Sequence, residues 1–178
     1  EDAWRVAKAA VAQAPADMTW RRRLAEVSEW TQRPSEALAQ WHFIALKTNE
    51  HAAWQHVLRL APGQLDDKAL VDALQYQLRQ APEDRRLLRE TIATYERLGD
   101  PQKAIAMLQG PANQDPVYAE ALAMLYERAG QDQQALQQWE RLLHKPENLT
   151  PARAIRAAVL ALRLRQGDKG LQWIRSAS

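Results

Sequence analysis

An all-α fold is what this sequence predicts, and three observations carry the prediction. Ala, Leu, Gln, Glu and Arg dominate, residues that lose little rotamer freedom in a helix, whereas the strand-favouring Val, Ile and Thr make up only about a tenth of the chain. Apolar positions recur at three and four, as in Ala119, Leu122, Leu125 and Tyr126 or in Leu70, Leu74 and Leu78, which is the helical period. The nine prolines fall between these periodic runs and never inside one. Proline has no amide donor for an interior turn and is tolerated in a helix's first turn.

Taken in order, residues 1–15 form one run, with Ala3, Ala7 and Ala10 on a face and Pro15 at its end. Residues 19–48 hold two runs divided at Arg33-Pro34, and residues 50–82 two runs divided at Pro62-Gly63, with Asp66 placed to cap the second. Residues 84–111 divide at Gly99-Asp100 and residues 115–147 at Gly130-Gln131. Residues 150–177 divide at Gly167-Asp168 and begin at Thr150, a further N-cap. Gly99, Gly130 and Gly167 each follow a helical run directly, the place of a left-handed C′ residue. The reading gives about eleven helices of roughly 9–17 residues with connections short enough to make neighbours antiparallel.

Composition excludes several classes of function. The 178 residues carry 24 Lys+Arg against 22 Asp+Glu, a net charge of +2 without the clustered excess of a nucleic-acid binder. With no Cys, disulfide scaffolds, thiolate zinc sites and cysteine nucleophiles drop out together. The longest clean apolar stretch, Ala157 to Leu162, is far short of the roughly 20 residues of a membrane span, so no membrane contact by these residues is expected.

The tight turns repeat. Tyr95-Glu96-Arg97-Leu98-Gly99-Asp100 and Tyr126-Glu127-Arg128-Ala129-Gly130-Gln131 are near copies, and Leu164-Arg165-Gln166-Gly167-Asp168 is a weaker third. Ala37, Leu70, Ala104 and Ala135 recur near the start of the second run of successive units. The unit from Asp115 adds Leu122-Ala123, Trp139, Leu142 and Pro146; that from Trp20 has Leu24-Ala25, Trp41 and Ile44, with Ser28 where Tyr is expected and Gln32 where Gly is expected. In the last unit Val159-Leu160 and Trp173 take the corresponding places, and in the unit from Asp84 Thr91-Ile92 stands where Leu and a small residue are expected. A two-helix unit of this length and pattern resembles the tetratricopeptide repeat. The resemblance implies a right-handed α-α superhelix of about five hairpins plus a leading single helix. Residues 1–15 match the second helix of a preceding unit, so the chain is expected to begin inside a longer array. Trp41, Trp139, Trp173 and Trp54 are expected in the core.

No catalytic, cofactor-binding or metal-binding residues are expected. His51 and His56 are five apart, a poor match to the spacing by which a helix presents two ligands to one metal, and no HExxH, GxSxG or Gly-rich phosphate loop is present. Asp66-Asp67 and Glu83-Asp84 sit at predicted helix starts, where the dipole favours negative charge. Helix register instead turns Arg22, Glu26, Glu29, Trp30, Arg59, Arg89, Glu96, Glu120 and Glu127 toward one face, the candidate surface for a partner or polymer. Trp30, beside Glu26 and Glu29, either stacks on a ligand there or packs beneath a neighbouring loop.

The stretches Arg21 to Thr31, Ser35 to Trp41 and Tyr95 to Asp100 also resemble the repeat region of the PelB family, outer-membrane exporters of the Pel biofilm polysaccharide. That resemblance implies a periplasmic scaffold which recruits a PelA-type deacetylase and guides a partly deacetylated, cationic polysaccharide to the pore; helix register makes Glu26, Glu29, Glu96, Glu120 and Glu127 the contacts expected for its amino sugars. The other reading is a general adaptor that clamps a peptide or partner helix, an acidic peptide using Arg22, Arg59 and Arg89. In either case Leu122→Ala or Trp139→Ala is expected to cost about 2–5 kcal/mol in urea unfolding, because repeats are held by nearest-neighbour packing.

Overall fold

The computed structural model describes residues 2–177. Among the described residues are eleven α-helices, three 3-10 turns and no strand. They form two compact units, Glu1–Leu98 and Gly99–Ser178. The first holds α1 (Asp2–Gln13), α2 (Met18–Trp30), α3 (Pro34–Thr48), α4 (His51–Leu60), α5 (Asp67–Gln80) and α6 (Arg85–Arg97), each packed on the next. The second holds α7 (Pro101–Gln109), α8 (Pro116–Arg128), α9 (Asp132–Leu143), α10 (Pro151–Arg163) and α11 (Gly167–Ser176), again each packed on the next. The helices of the expected hairpin 84–111 thus belong to different units, α6 to the first and α7 to the second.

Helix starts follow local chemistry. Pro34, Pro101, Pro116 and Pro151 are each the first residue of a helix, while Pro62, Pro111 and Pro146 open the 3-10 turns. Asp66 accepts from the Ala69 amide and Thr150 from that of Arg153, as the sequence predicts. Asp17, Asp84, Asp100 and Asp115 cap α2, α6, α7 and α8 in the same way. Each satisfies amide donors that a helix start leaves unpaired.

Leading helices (α2, α4, α6, α8, α10) run into one turn geometry, α4 by way of the 3-10 turn Pro62–Gln64. A single left-handed residue follows each: Gln32 (φ 57°), Leu65 (53°), Gly99 (70°), Gly130 (71°) and Arg165 (60°). After α2, α8 and α10 the next amide turns back to close the helix, Arg33 to Ser28 O, Gln131 to Tyr126 O and Gln166 to Ala161 O, each at 2.8 Å. Gly167, expected in this role, is instead the first residue of α11; Arg165 holds the left-handed place. The short turn forces that conformation whatever the side chain.

This residue also sets the register of the trailing helices. Five positions on stand Ala37, Leu70, Ala104, Ala135 and Gly170, all buried. At Gly170 the helices come so close that an added Cβ would lie 3.0 Å from Ala158 Cα and 3.1 Å from its Cβ. The core grows outward from these crossings, with Trp41, Ile44, Trp54, Val57 and Leu74 in the first unit and Leu122, Leu125, Leu136, Trp139 and Leu160 in the second. Trp54 stacks on Tyr76 at 5.5 Å.

Two core assignments are corrected by this register. Trp173 is only half-buried, because counting from Arg165 puts Ile174 where Trp139 stands in the preceding hairpin. Val159 is exposed for the same reason: Ala157-Ala158 matches Leu122-Ala123. Ser28 and Thr91, departures from the repeat pattern, are both fully buried; Thr91 Oγ1 donates to Leu87 O at 2.7 Å.

Gly170→Ala is expected to lower stability by about 1–3 kcal/mol through overpacking against Ala158. Arg165→Gly is expected to raise it by about 0.5–1 kcal/mol, the left-handed strain of a non-glycine residue less the added freedom of the unfolded chain. Urea denaturation of both variants checks the pair, and the two signs must be opposite.

Candidate functional site

The face of the first unit built from α2 and α4 collects most of the predicted residues. Glu29, in the last turn of α2, is its centre. Its carboxylate accepts from Trp41 Nε1 on α3 at 2.7 Å, stands 2.8 Å from His56 Nδ1 on α4, and is paired with Arg59 Nη2. The His56 ring lies flat on Trp41, centroids 4.0 Å apart and planes 10° from parallel. One turn-set earlier, Arg22 Nη2 donates to Glu50 Oε2 at 2.7 Å, tying α2 to the start of α4. Burial pushes the Glu29 carboxyl up, but hydrogen bonds from Arg59 and Trp41 and the charges of Arg59 and His56 outweigh it and hold it below the ordinary range. The Arg22 hydrogen bond likewise lowers Glu50, and the Arg97 hydrogen bond lowers Asp67.

Around this network lie side chains that do not serve it. Trp30, the last residue of α2, is 79% exposed, so the alternative in which it packs beneath a loop is corrected. On α2, Arg23 is exposed and Glu26 is half-buried; Arg89 is exposed on α6. Arg59 leaves 56% of its side chain to solvent while paired.

The remaining predicted residues lie elsewhere. Glu96 is half-buried on α6. In the second unit Glu120 accepts from Arg153 Nη2 at 2.7 Å and Nε at 2.9 Å, and Glu127 from Trp139 Nε1 at 2.8 Å and Arg156 Nε at 3.2 Å. Glu127 with Trp139 therefore repeats Glu29 with Trp41, twelve residues apart in both hairpins. Sequence reasoning missed these ties, and also Asp67–Arg97 and Asp132–Arg163, which join the start of a trailing helix to the end of the next leading one. A signal was available: opposite charges one repeat apart, at separations of 28 to 33 residues.

Among the described residues no cluster of three His, Cys, Asp or Glu is arranged to hold a metal, and no helix is long and apolar enough to cross a membrane. What the α2–α4 face offers is a preset array of charges and one open aromatic.

The lowered Glu29 carboxyl contributes stability that is complete above the ordinary glutamate value of about 4.3 and is lost as pH falls through its depressed folded value. Glu29→Gln is expected to remove that acid-sensitive contribution in the first unit and to cost about 1–2 kcal/mol at pH 7 by leaving Trp41 and Arg59 short of an acceptor. Urea titrations at pH 3 and pH 7 read both effects.

No protein-family model matches the chain, and no curated protein matches it. Solved structures do. YrrB, described as a tetratricopeptide protein with an unusual peptide-binding site, superposes with a TM-score of 0.50 at 18% identity over 96% of this chain and 90% of that one. The Naa15/Naa10 complex bound to HypK gives 0.61 at 19% identity, covering 98% of this chain but 28% of that one. MamA gives 0.52 at 11% identity over 90% and 89%. At these identities the likeness is one of architecture, and with the left-handed turns and buried small residues above it establishes that this chain has the tetratricopeptide-repeat fold.

Proposed function

We propose that this chain is a non-catalytic interaction module that holds a peptide or helix of a partner protein on the α2–α4 face. The observation that carries the reading is Trp30, a large aromatic 79% exposed beside a charge network already fixed in place. A rigid aromatic and a half-exposed Arg59 provide an anchor at small cost in side-chain entropy. The partner segment that fits carries an apolar residue for Trp30 and a carboxylate for Arg59 and Arg23. Relatives in fold point the same way: YrrB is described as peptide-binding, and Naa15 is seen with HypK.

A finer reading makes the chain a periplasmic part of a Pel polysaccharide export system that recruits a PelA-type deacetylase and guides a cationic polymer. It is supported by the sequence likeness in residues 21–31, 35–41 and 95–100. Binding of a protein partner suits either version. Polymer binding by glutamates is the weaker half, since Glu29, Glu120 and Glu127 already face Arg59, Arg153 and Arg156 and a second cation would have to compete with these.

Titration of the chain into a fluorescently labelled short acidic peptide bearing a leucine, followed by anisotropy of the label, tests the proposal. Trp30→Ala is expected to weaken binding about tenfold or more while leaving Tm unchanged, as an exposed anchor requires. Unchanged affinity would overturn it. Retention of a PelA-type deacetylase by the chain, and its loss on Trp30→Ala, would select the finer reading.

A further inference from the structure

Inside the second unit, where the start of α8 meets the end of α9, lies a polar cavity of about 130 Å³. Two carboxamides line it, Gln138 on α9 and Asn148 in the 3-10 turn that follows, each only 7% exposed. Neither side chain has a hydrogen-bond partner among the described residues. Buried polar groups are as a rule paired, so two unpaired amides on one cavity mark a place for a hydrogen-bonding ligand. Arg141 and Lys145, one turn apart on α9, stand on the same lining, exposed and in no ion pair among the described residues.

The repeat shows what shape belongs there. Aligning the left-handed residues Gln32, Leu65 and Gly130 also aligns the N-caps Asp17, Glu50 and Asp115. In that register Ala119 stands where α2 has Arg21 and α4 has Trp54, and Arg141 where α3 has Phe43 and α5 has Tyr76. The Arg21 guanidinium carbon lies 3.5 Å from the Phe43 ring centroid, and its Nη1 donates at 2.7 Å to Oε1 of Gln40, the counterpart of Gln138. Trp54 stacks on Tyr76 with centroids 5.5 Å apart. Two hairpins thus fill this place with a flat group of the leading helix set on an aromatic of the trailing one. In the α8–α9 hairpin Ala119 leaves the place open and takes away the partner of Gln138.

The α2–α3 pair is also inverted. There a cation lies over a ring; here the trailing helix supplies the cation, Arg141, and the chain supplies no ring. A guanidinium stacks on an aromatic face, so the complement of Arg141 is a planar ring. Lys145 calls for a negative charge at one end of that ring, and Gln138 and Asn148 for a hydrogen-bonding group. Asp115, also on the lining, accepts from the Val117 amide at 2.9 Å, and its charge selects against a second negative charge on the ligand. The Tyr118 and Ala119 amides are bonded to Asp115 O at 3.1 and 3.0 Å, so recognition falls to side chains and not to the start of α8.

We propose that this cavity binds a small aromatic acid, one ring with a single carboxylate directed at Arg141 and Lys145 and a polar substituent held by Gln138 and Asn148. It is separate from the α2–α4 face and does not depend on it.

Nuclear magnetic resonance of the isotope-labelled intact chain, following the side-chain amides of Gln138 and Asn148, tests it with para-hydroxybenzoate as probe. A ligand of this size is expected to saturate both signals with a Kd of about 0.1–1 mM. Cyclohexanecarboxylate, which has no flat ring, and para-hydroxybenzamide, which has no charge, are each expected to bind about tenfold more weakly or worse. The double variant Ala119→Arg with Arg141→Phe, which rebuilds the filling of the α2–α3 hairpin, is expected to keep Tm and to refuse the acid. Gln138→Leu, which keeps the volume and removes the amide, is expected to weaken binding about tenfold, read from the Asn148 signal. No saturable shift up to about 10 mM, equal affinity for the three probes, or binding indifferent to both variants overturns the proposal. Tighter binding of a peptide carrying tyrosine beside aspartate would assign the cavity to a partner's side chain and also overturns it.

Discussion

The structure depends on one backbone constraint, the single left-handed residue in the turn after each leading helix. Gln32, Leu65, Gly99, Gly130 and Arg165 all adopt it, although only two are glycine. The constraint turns the chain within a few residues, and in doing so fixes which position of the next helix faces back. Five residues later comes Ala37, Leu70, Ala104, Ala135 or Gly170, each buried. Nine residues later, at Trp41 and Trp139, comes an indole whose N–H reaches the glutamate in the last turn of the leading helix. Local geometry thus determines crossing, core and polar tie together.

Charge is organised on a longer scale, that of one repeat. Lys8–Glu36, Arg22–Glu50, Glu29–Arg59, His42–Asp72 and Asp67–Arg97 link helices one repeat apart in the first unit, and Glu120–Arg153, Glu127–Arg156, Asp132–Arg163 and Glu140–Lys169 do so in the second. Exposed pairs of this kind add little stability individually. Their effect is to fix the register of helices whose buried faces are mostly alanine and leucine and would tolerate sliding. Once those charges are committed, the large side chains left open include Trp30 in one unit and Ile155 and Leu162 in the other.

Much of this was legible in the sequence. The helical period, the prolines at helix starts and the Tyr95 and Tyr126 turns pointed to helical hairpins, and Asp66 and Thr150 marked their caps. In the last hairpin glycine does not mark the left-handed place. Gly167 is a first-turn residue there, and aligning on it moves the pattern two positions, onto Val159-Leu160 instead of Ala157-Ala158. The face residues were harder to place. Register alone brings Glu29, Glu120 and Glu127 to the leading-helix side, but whether a carboxylate is open to a ligand depends on what lies one repeat away, and Arg59, Arg153 and Arg156 supply that answer. Trp30 gave no such signal, since an indole in the final turn of a helix is equally suited to packing and to exposure.

Amide hydrogen exchange along the whole chain, with and without the acidic leucine-bearing peptide, addresses the central claim most directly. The account predicts slowed exchange concentrated in the last turn of α2 and in α4, with α1 and α11 unchanged. Slowing confined to other helices, with residues 26–32 and 51–60 exchanging at their unliganded rate, would contradict it.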